Sequence, residues 1–260
     1  MASIYALNGK IQGTIKLPDV FKTPYRPDLI QRAVVSAQAS RRQAYGTDPY
    51  AGLRTSADYY ANRKHTYRIT INRGISRLPR EKPGGGSLGR PKRVPNVVGG
   101  RSAHAPRNKD YTNKINNKEY ALALKSAIAA TALKDVIEAR GHKIGAIKEF
   151  PIVVDDSIES LKKAKEVRIA LESIGLADDL ERGMEKSVNA GKGKSRGRKY
   201  DKRTSVLIVV GEDKGVSKAA RNIPGVDAAT AKELDVEMLA PGTHAGRLTV
   251  WTKSAIQAIA

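Results

Sequence analysis

The chain of 260 residues contains no cysteine, one tryptophan and two phenylalanines. Without cysteine there can be no disulfide scaffold, no thiolate metal site and no cysteine nucleophile, and the usage fits a reducing interior. Long apolar runs are also missing. The strongest, Val206–Val210, is far too short to cross a bilayer, and the opening MASIYALNGK lacks the apolar region of a signal peptide. A soluble intracellular protein that does not enter a membrane is expected. The four histidines, His65, His104, His142 and His244, have no neighbouring ligand at metal spacing, so neither a metal nor a cofactor is expected. His142 follows a helix end and reads as structural; the other three sit in loops.

Acidic residues are scarce where basic ones gather. The chain has 47 Lys and Arg against 26 Asp and Glu, a formal net charge of +21. From Tyr45 to Asp110 there are 14 Lys/Arg against four acids, and from Lys186 to Arg203 eight against one. A solvated face alternates sign, and these segments do not. Charge concentrated in Gly-rich, apolar-poor stretches makes a surface for a polyanion, because phosphate neutralisation releases counterions.

Periodicity places the rest. Asn8-Gly9 between Ile4–Leu7 and Lys10–Leu17 signals a two-residue hairpin turn with both turn residues at positive φ. Leu29, Ile30, Ala33, Val34 and Ala37 make one buried stripe on a helix over about 28–43. Periodicity then vanishes until Asn117, and only Tyr67–Ile71 offers a short strand. So long a loop without core is functional or ordered by its partner. A long helix follows, with Tyr120, Leu124, Ala127, Ile128, Leu133, Val136 and Ile137 on one stripe and Arg140-Gly141 as its cationic end and C-cap. Further on come a strand Phe150–Val154, helices over about 157–174 and 178–186, and the continuous apolar strand Ser205–Val210. A helix near Val216–Arg221, a strand around Val226–Ala228, a last strand Leu248–Trp251 holding a core Trp251, and a helix Thr252–Ile259 complete the pattern. Strands alternating with helices predict a single layered α/β domain over residues 1–260. Its sheet is mostly parallel and flanked by helices, interrupted by a long extended basic loop at about 45–111, with a second basic segment at 186–203.

Catalytic motifs fail on inspection. Gly191-Lys-Gly-Lys-Ser195 resembles the end of a phosphate-binding P-loop, but Val188 stands where that motif needs glycine, and no strand leads into it. Asp155-Asp156 and Glu212-Asp213 follow two strands, where α/β enzymes place chemistry. Asp156-Ser-Ile-Glu159 has the spacing of a capping box, so the acids are read as helix caps. Tyr45, Tyr50, Tyr59, Tyr60 and Tyr67 in the basic loop could stack on unpaired bases or pack among themselves.

Read in order, several strings resemble the universal large-subunit ribosomal protein numbered four, in its archaeal–eukaryotic form. They include FKTPYRPDLIQRAV (Phe21–Val34), QASRRQAYGTDPYAGLRTSA (Gln38–Ala57), RVPNVVGGRSAHAP (Arg93–Pro106), AGKGKSRGRKY (Ala190–Tyr200) and LAPGTHAGRLTVWTKSAI (Leu239–Ile256). The long C-terminal extension of eukaryotic members is absent, which points to the archaeal type. The resemblance implies a non-enzymatic constituent of the large subunit in the cytoplasmic ribosome. It implies that the protein binds large-subunit rRNA early in assembly. It further implies that the loop reaches the wall of the nascent-peptide exit tunnel, opposite the large-subunit protein numbered twenty-two and facing the nascent polypeptide.

The residues expected to contact rRNA are Arg54, Arg73, Arg77, Arg80, Arg90, Lys92, Arg93, Arg101 and Arg107 in the loop. In the second segment they are Lys192, Lys194, Arg196, Arg198, Lys199 and Arg203. Arginine suits a phosphate-lined crevice because its planar fork bridges two phosphates. The alternatives are an RNA-modifying enzyme of methyltransferase type with a basic gripping arm, and a chromatin architectural protein. The first requires a cofactor fingerprint the sequence lacks, and the second requires a preference for duplex DNA. A loop without core cannot offset its ordering entropy alone. Limited proteolysis of the RNA-free protein is therefore expected to cut within Tyr45–Asp110 well before the α/β domain. Protection of the whole segment in isolation would contradict this.

Overall fold

The computed structural model describes residues 2–59, 72–83, 87–145, 147 and 149–259. The chain divides into two compact units, one formed by Met1–Arg41 with Thr112–Ala260 and the other by Arg42–Tyr111. In the first unit the strands are β1 (Ala2–Tyr5), β2 (Ile11–Ile15), β3 (Ile152–Val154), β4 (Lys186–Val188), β5 (Tyr200–Lys202), β6 (Leu207–Val210), β7 (Asp227–Thr230) and β8 (Thr249–Thr252). The helices are α1 (Pro27–Arg41), α2 (Asn117–Ala130), α3 (Lys134–Ala139), α4 (Ala164–Ser173), α5 (Ala177–Met184), α6 (Val216–Ala220), α7 (Val236–Leu239) and α8 (Lys253–Ile259).

Six strands form one sheet in the order β2-β1-β3-β8-β6-β7. Only the β1–β2 pair is antiparallel; the other four pairings are parallel. Side chains alternate across a strand, so the continuous apolar runs divide between two cores. Ile152, Val154, Ile208, Val210 and Val250 face one layer, where they meet Val167, Leu171, Leu180, Val216 and Ala220 of α4, α5 and α6. Val153, Leu207, Val209 and Trp251 face the other, against Ile30 and Val34 of α1, Ala123 and Ala127 of α2, Leu239 of α7 and Ile256 of α8. Trp251 is fully enclosed and meets Phe21 edge to face, with centroids 5.6 Å apart at 81°. The expected α/β fold with a mostly parallel, helix-flanked sheet is what the chain adopts.

Local departures from the expectations each have a physical cause. The first hairpin turn has three residues rather than two. Gly9 N bonds Ala6 O (2.9 Å), Ala6 N bonds Lys10 O (2.8 Å), and only Gly9 is left-handed (φ 78°). That is a tight turn followed by a glycine bulge. The single helix expected from Asn117 to Ile137 is divided into α2 and α3. Both the amide and the hydroxyl of Thr131 bond Ile128 O, at 3.1 and 2.7 Å, closing the helix there, and Leu133 is extended and half exposed. Gly141 still ends the second piece at φ 94°. The helix expected over about 157–174 begins instead as a 3₁₀ turn, Asp156–Ser160, and the α-helix starts only at Ala164.

The capping box does not form, because its members are used across the sheet. Asp155, not Asp156, caps its own turn by accepting from Ser157 N (3.3 Å). Asp156 Oδ1 accepts from Ser254 N (2.8 Å) at the start of α8. Glu159 turns inward, 2% exposed, and accepts from Gly211 N (2.9 Å), Ser254 Oγ (2.6 Å) and Thr252 Oγ1 (3.1 Å). Asp213 caps α6 through Gly215 N (2.9 Å) and Ser217 N (3.3 Å). These carboxylates satisfy amides and hydroxyls, as capping requires.

A polar network lies at the opposite edge, where β6 and β8 begin. Asp179, fully enclosed on α5, accepts from Ser205 Oγ (2.6 Å), Arg182 Nε (2.8 Å), Lys143 N (3.1 Å) and His142 Nδ1 (3.1 Å). The other ring nitrogen of His142 accepts from Leu248 N (3.3 Å), which assigns the Nδ1–H tautomer donating to Asp179. Burial alone would raise the Asp179 pKa; donors from His142, Arg182 and Ser205 overcome it and hold the carboxyl well below the usual range. Burial likewise lowers the His142 pKa, with Asp179 opposing. Both shifts leave the unfolded chain binding more protons in acid, so the network stabilises at neutral pH and weakens on acidification. Asp179→Asn is expected to cost about 3 kcal/mol near pH 7, since it leaves Arg182 partly unpaired in the interior. The difference from the wild type should narrow as pH falls below about 4, where the unfolded carboxyl takes up its proton. Urea unfolding across pH 3–7 measures both.

Candidate nucleic-acid interface

The second basic segment is a built ribbon. β4 and β5 pair antiparallel, Lys186 opposite Lys202 and Val188 opposite Tyr200, and they frame a 3₁₀ turn at Lys192–Arg196. Gly191 (φ 76°) opens that turn and Gly197 (φ 81°) closes it, left-handed positions that suit glycine. The backbone closes on itself: Asn189 N bonds Lys199 O (2.9 Å), Arg198 N bonds Gly193 O (3.0 Å), and Ser195 Oγ bonds Lys192 O (2.9 Å). Lys192, Lys194, Arg196, Arg198 and Lys199 are all exposed, and among the described residues none of them meets a carboxylate. Arg203, also expected in this set, is exposed and pairs with Glu185 at 3.1 Å. The ribbon gives the Gly-Lys-Gly-Lys-Ser string a strand-to-strand setting instead of the strand-to-helix turn a P-loop requires.

The sequence reading did not single out Tyr200 or Lys186. Tyr200 is 42% exposed, with Lys186 Nζ 4.7 Å and Lys199 Nζ 5.3 Å from its ring centroid. A cation-flanked ring on a ribbon is a stacking platform of the kind unpaired bases use. The signal available was a pair of short β-capable triplets, Lys186–Val188 and Tyr200–Lys202, on either side of a glycine-rich turn.

In the unit Arg42–Tyr111, the described residues carry turns and two isolated bridges, Asp58 with Arg80 and Arg80 with Pro91. The expected strand Tyr67–Ile71 lies outside the described residues, as do Tyr60 and His65. Arg80 organises this unit from within. Its amide and carbonyl pair with those of Asp58 (2.9 and 3.0 Å), and its guanidinium reaches Ser76 Oγ (2.7 Å), Ser76 O (3.2 Å) and Gly89 O (3.4 Å). Next to it Glu81 N bonds Arg90 O (3.1 Å) and Lys92 N bonds Pro79 O (2.9 Å). Arg93, at φ 73°, donates to the carbonyl of the buried Ala57 (3.2 Å). The candidates thus separate by what they touch. Arg80 and Arg93 hold the segment's own backbone, and Lys92 is half-buried. Arg54 is exposed but paired with Asp48 (2.7 Å), while Arg73, Arg77, Arg90, Arg101 and Arg107 are exposed. Tyr45, Tyr50 and Tyr59 are at least half exposed, which leaves their rings open to stacking. At the unit's ends, the Arg42 guanidinium lies 4.2 Å from the Tyr111 ring centroid.

This arrangement, self-satisfied backbone with cationic side chains turned outward, can bind phosphates in sequence along a strand. The family model described as the Ribosomal protein L4/L1 family matches residues 15–260. A large ribosomal subunit protein uL4 from Methanococcoides burtonii is 53% identical over 257 residues, spanning 98% of this chain and 96% of that protein. The protein of the same name from Methanopyrus kandleri is 48% identical over 264 residues, 99% of this chain and 97% of its own length. That from Halorubrum lacusprofundi is 47% identical over 261 residues, 100% and 98% respectively. With an ordered match over nearly its whole length, the chain belongs to the ribosomal protein L4/L1 family.

Proposed function

We propose that this protein is a structural, non-enzymatic constituent of the large subunit of the cytoplasmic ribosome, and that it holds large-subunit rRNA by two basic surfaces on one α/β scaffold. The observation that carries this reading is the ribbon at 186–203. Five neighbouring cations project from a backbone that satisfies its own hydrogen bonds, with no carboxylate at ion-pair distance among the described residues. Mutual repulsion of this kind has no structural use in the free protein and is relieved by phosphate. The outward arginines of the unit Arg42–Tyr111 supply the second surface. Recognition rests on backbone and shape, with exposed Tyr45, Tyr50, Tyr59 and Tyr200 available to unpaired bases.

On this reading the segment 45–111 extends to the exit-tunnel wall, where the large-subunit protein numbered twenty-two and the nascent polypeptide are its partners. Among the described residues no helix is long and apolar enough to cross a membrane. The methyltransferase alternative is not favoured: the family it would have to belong to is not the one the chain matches.

Each phosphate contact contributes about 0.7–0.9 to the slope of log affinity against log salt. Replacing Lys192, Lys194, Arg196 and Arg198 together by Ala should flatten that slope by roughly three for an rRNA fragment, without loss of folding. An unchanged slope would make the ribbon a solvated face. For the tunnel reading, residues 63–74 can be replaced by a short Gly/Ser link, which keeps the Asp58–Arg80–Pro91 bridges. Subunits carrying that chain are expected to assemble and to respond differently to tunnel-binding antibiotics; an unaltered response counts against the tunnel placement.

A further inference from the structure

The edge of the sheet where β6 and β8 begin borders a cavity of about 800 Å³, lined from α3, α5, the end of β5 and the turn Pro241–Thr243. Four cations line it, Arg140, Arg182, Lys202 and Arg203, against one carboxylate, Asp201. Two of the four are accounted for, since Arg182 pairs with Asp179 and Arg203 with Glu185. Arg140 is not. Its guanidinium donates through Nη2 to Pro241 O (2.8 Å), and no carboxylate pairs with it among the described residues. Burial, with the nearby charges of Arg247 and Arg182, pushes its pKa down to about 10. A desolvated cation with like-charged neighbours and no counter-ion is costly to hold. The turn facing it carries a second anomaly. Gly242 (φ 73°) is followed by Thr243 at φ 74°, a region a β-branched residue rarely adopts. Strain of this sort gathers at ligand clamps.

We propose that this cavity is an anion site in which Arg140 receives a phosphate group, with Lys202 and Arg203 at its mouth. Phosphate matches the planar fork of the guanidinium better than a single-point acceptor does, and the volume admits a phosphodiester with its sugar. Lys202 and Arg203 also end the ribbon, so a strand lying along Lys192–Lys199 is led to the opening. That the phosphate comes from an RNA backbone rests on the function proposed above; a free phosphate ion presents the same oxygens.

The test uses the full chain, wild type and Arg140→Gln, with Arg140→Lys keeping the charge and losing the fork. In phosphate-free chloride buffer, R140Q should melt at or above the wild-type temperature, because an uncompensated cation has been removed. A melting temperature well below wild type, or failure to fold, would make Arg140 a structural cation and overturn the site. With an rRNA fragment, R140Q should flatten the log–log salt slope by about 0.7–0.9, and R140K by less. If the source is free phosphate, the slope stays unchanged. Inorganic phosphate at constant ionic strength then raises the melting temperature of the wild type and not of R140Q. Identical slopes together with identical phosphate responses refute the proposal. The quadruple ribbon variant separates the two readings. If it flattens the slope and R140Q changes nothing, the cavity alone is wrong; if it leaves the slope unchanged, RNA binding by the ribbon is wrong.

Discussion

A parallel strand has to be covered on both faces, and the remainder of this molecule follows from that requirement. β3, β6 and β8 are buried on both sides, so their alternating residues draw apolar partners from all eight of the named helices into two layers. The demand uses almost every apolar stripe in the chain. What is left over, the described residues of 42–111 together with 186–203, has no share in either core and is under no pressure to be apolar. Those are the stretches in which the positive charge collects. Core and interface are therefore complementary outcomes of one sequence pattern.

The two are joined by the enclosed carboxylate of Asp179. Through Ser205 it touches the residue before the apolar strand β6, and through His142 it reaches the amide of Leu248 before β8. Through Arg182, which also donates to Thr204 O (2.7 Å), it holds the exit of the basic ribbon. Arg247, 2% exposed, continues the network to Ser205 O (2.9 Å), Met238 O (3.1 Å) and Asp227. Buried polar groups linked in this way fix one geometry, since every member left unpaired carries a desolvation cost. The ribbon is thus attached at a point the core does not allow to shift.

The sequence made the layered α/β architecture and the two basic segments legible, because periodicity and charge are local properties. Val206–Val210 could be only a doubly covered strand, and Gly141 only a helix end. Breaks within helices were not legible. The apolar stripe runs unbroken from Tyr120 to Ile137, yet Thr131 closes the helix by bonding Ile128, a choice set by tertiary packing. Glu159 had the spacing of a cap and became a cross-sheet acceptor for the same reason. Within the basic segments, arginine content does not disclose what individual members touch. Arg80 and Arg93 hold backbone carbonyls, a distinction that depends on partners far apart in sequence, Ala57 and Gly89 among them. Arg140 read as a favourable last-turn cation, and its lack of a counter-ion emerges only when Arg182 and Arg247 are brought beside it.

The parallel sheet also presents different polar groups at its two edges. Carboxylates follow β3 and β6 at their carboxyl ends, where α/β enzymes assemble active sites. Here Asp155, Asp156, Glu159 and Asp213 are bonded to backbone amides and hydroxyls. At the amino ends of β6 and β8 stand Arg182, Arg203 and Arg247, with Arg140 nearby. Three of these arginines pair with carboxylates at the same edge, Arg182 with Asp179, Arg203 with Glu185 and Arg247 with Asp227, and among the described residues Arg140 has no such partner. The phosphate site proposed for the cavity lies at the amino ends of β6 and β8, opposite the strand ends where α/β enzymes place their chemistry, and the ribbon leaves the core on that same side.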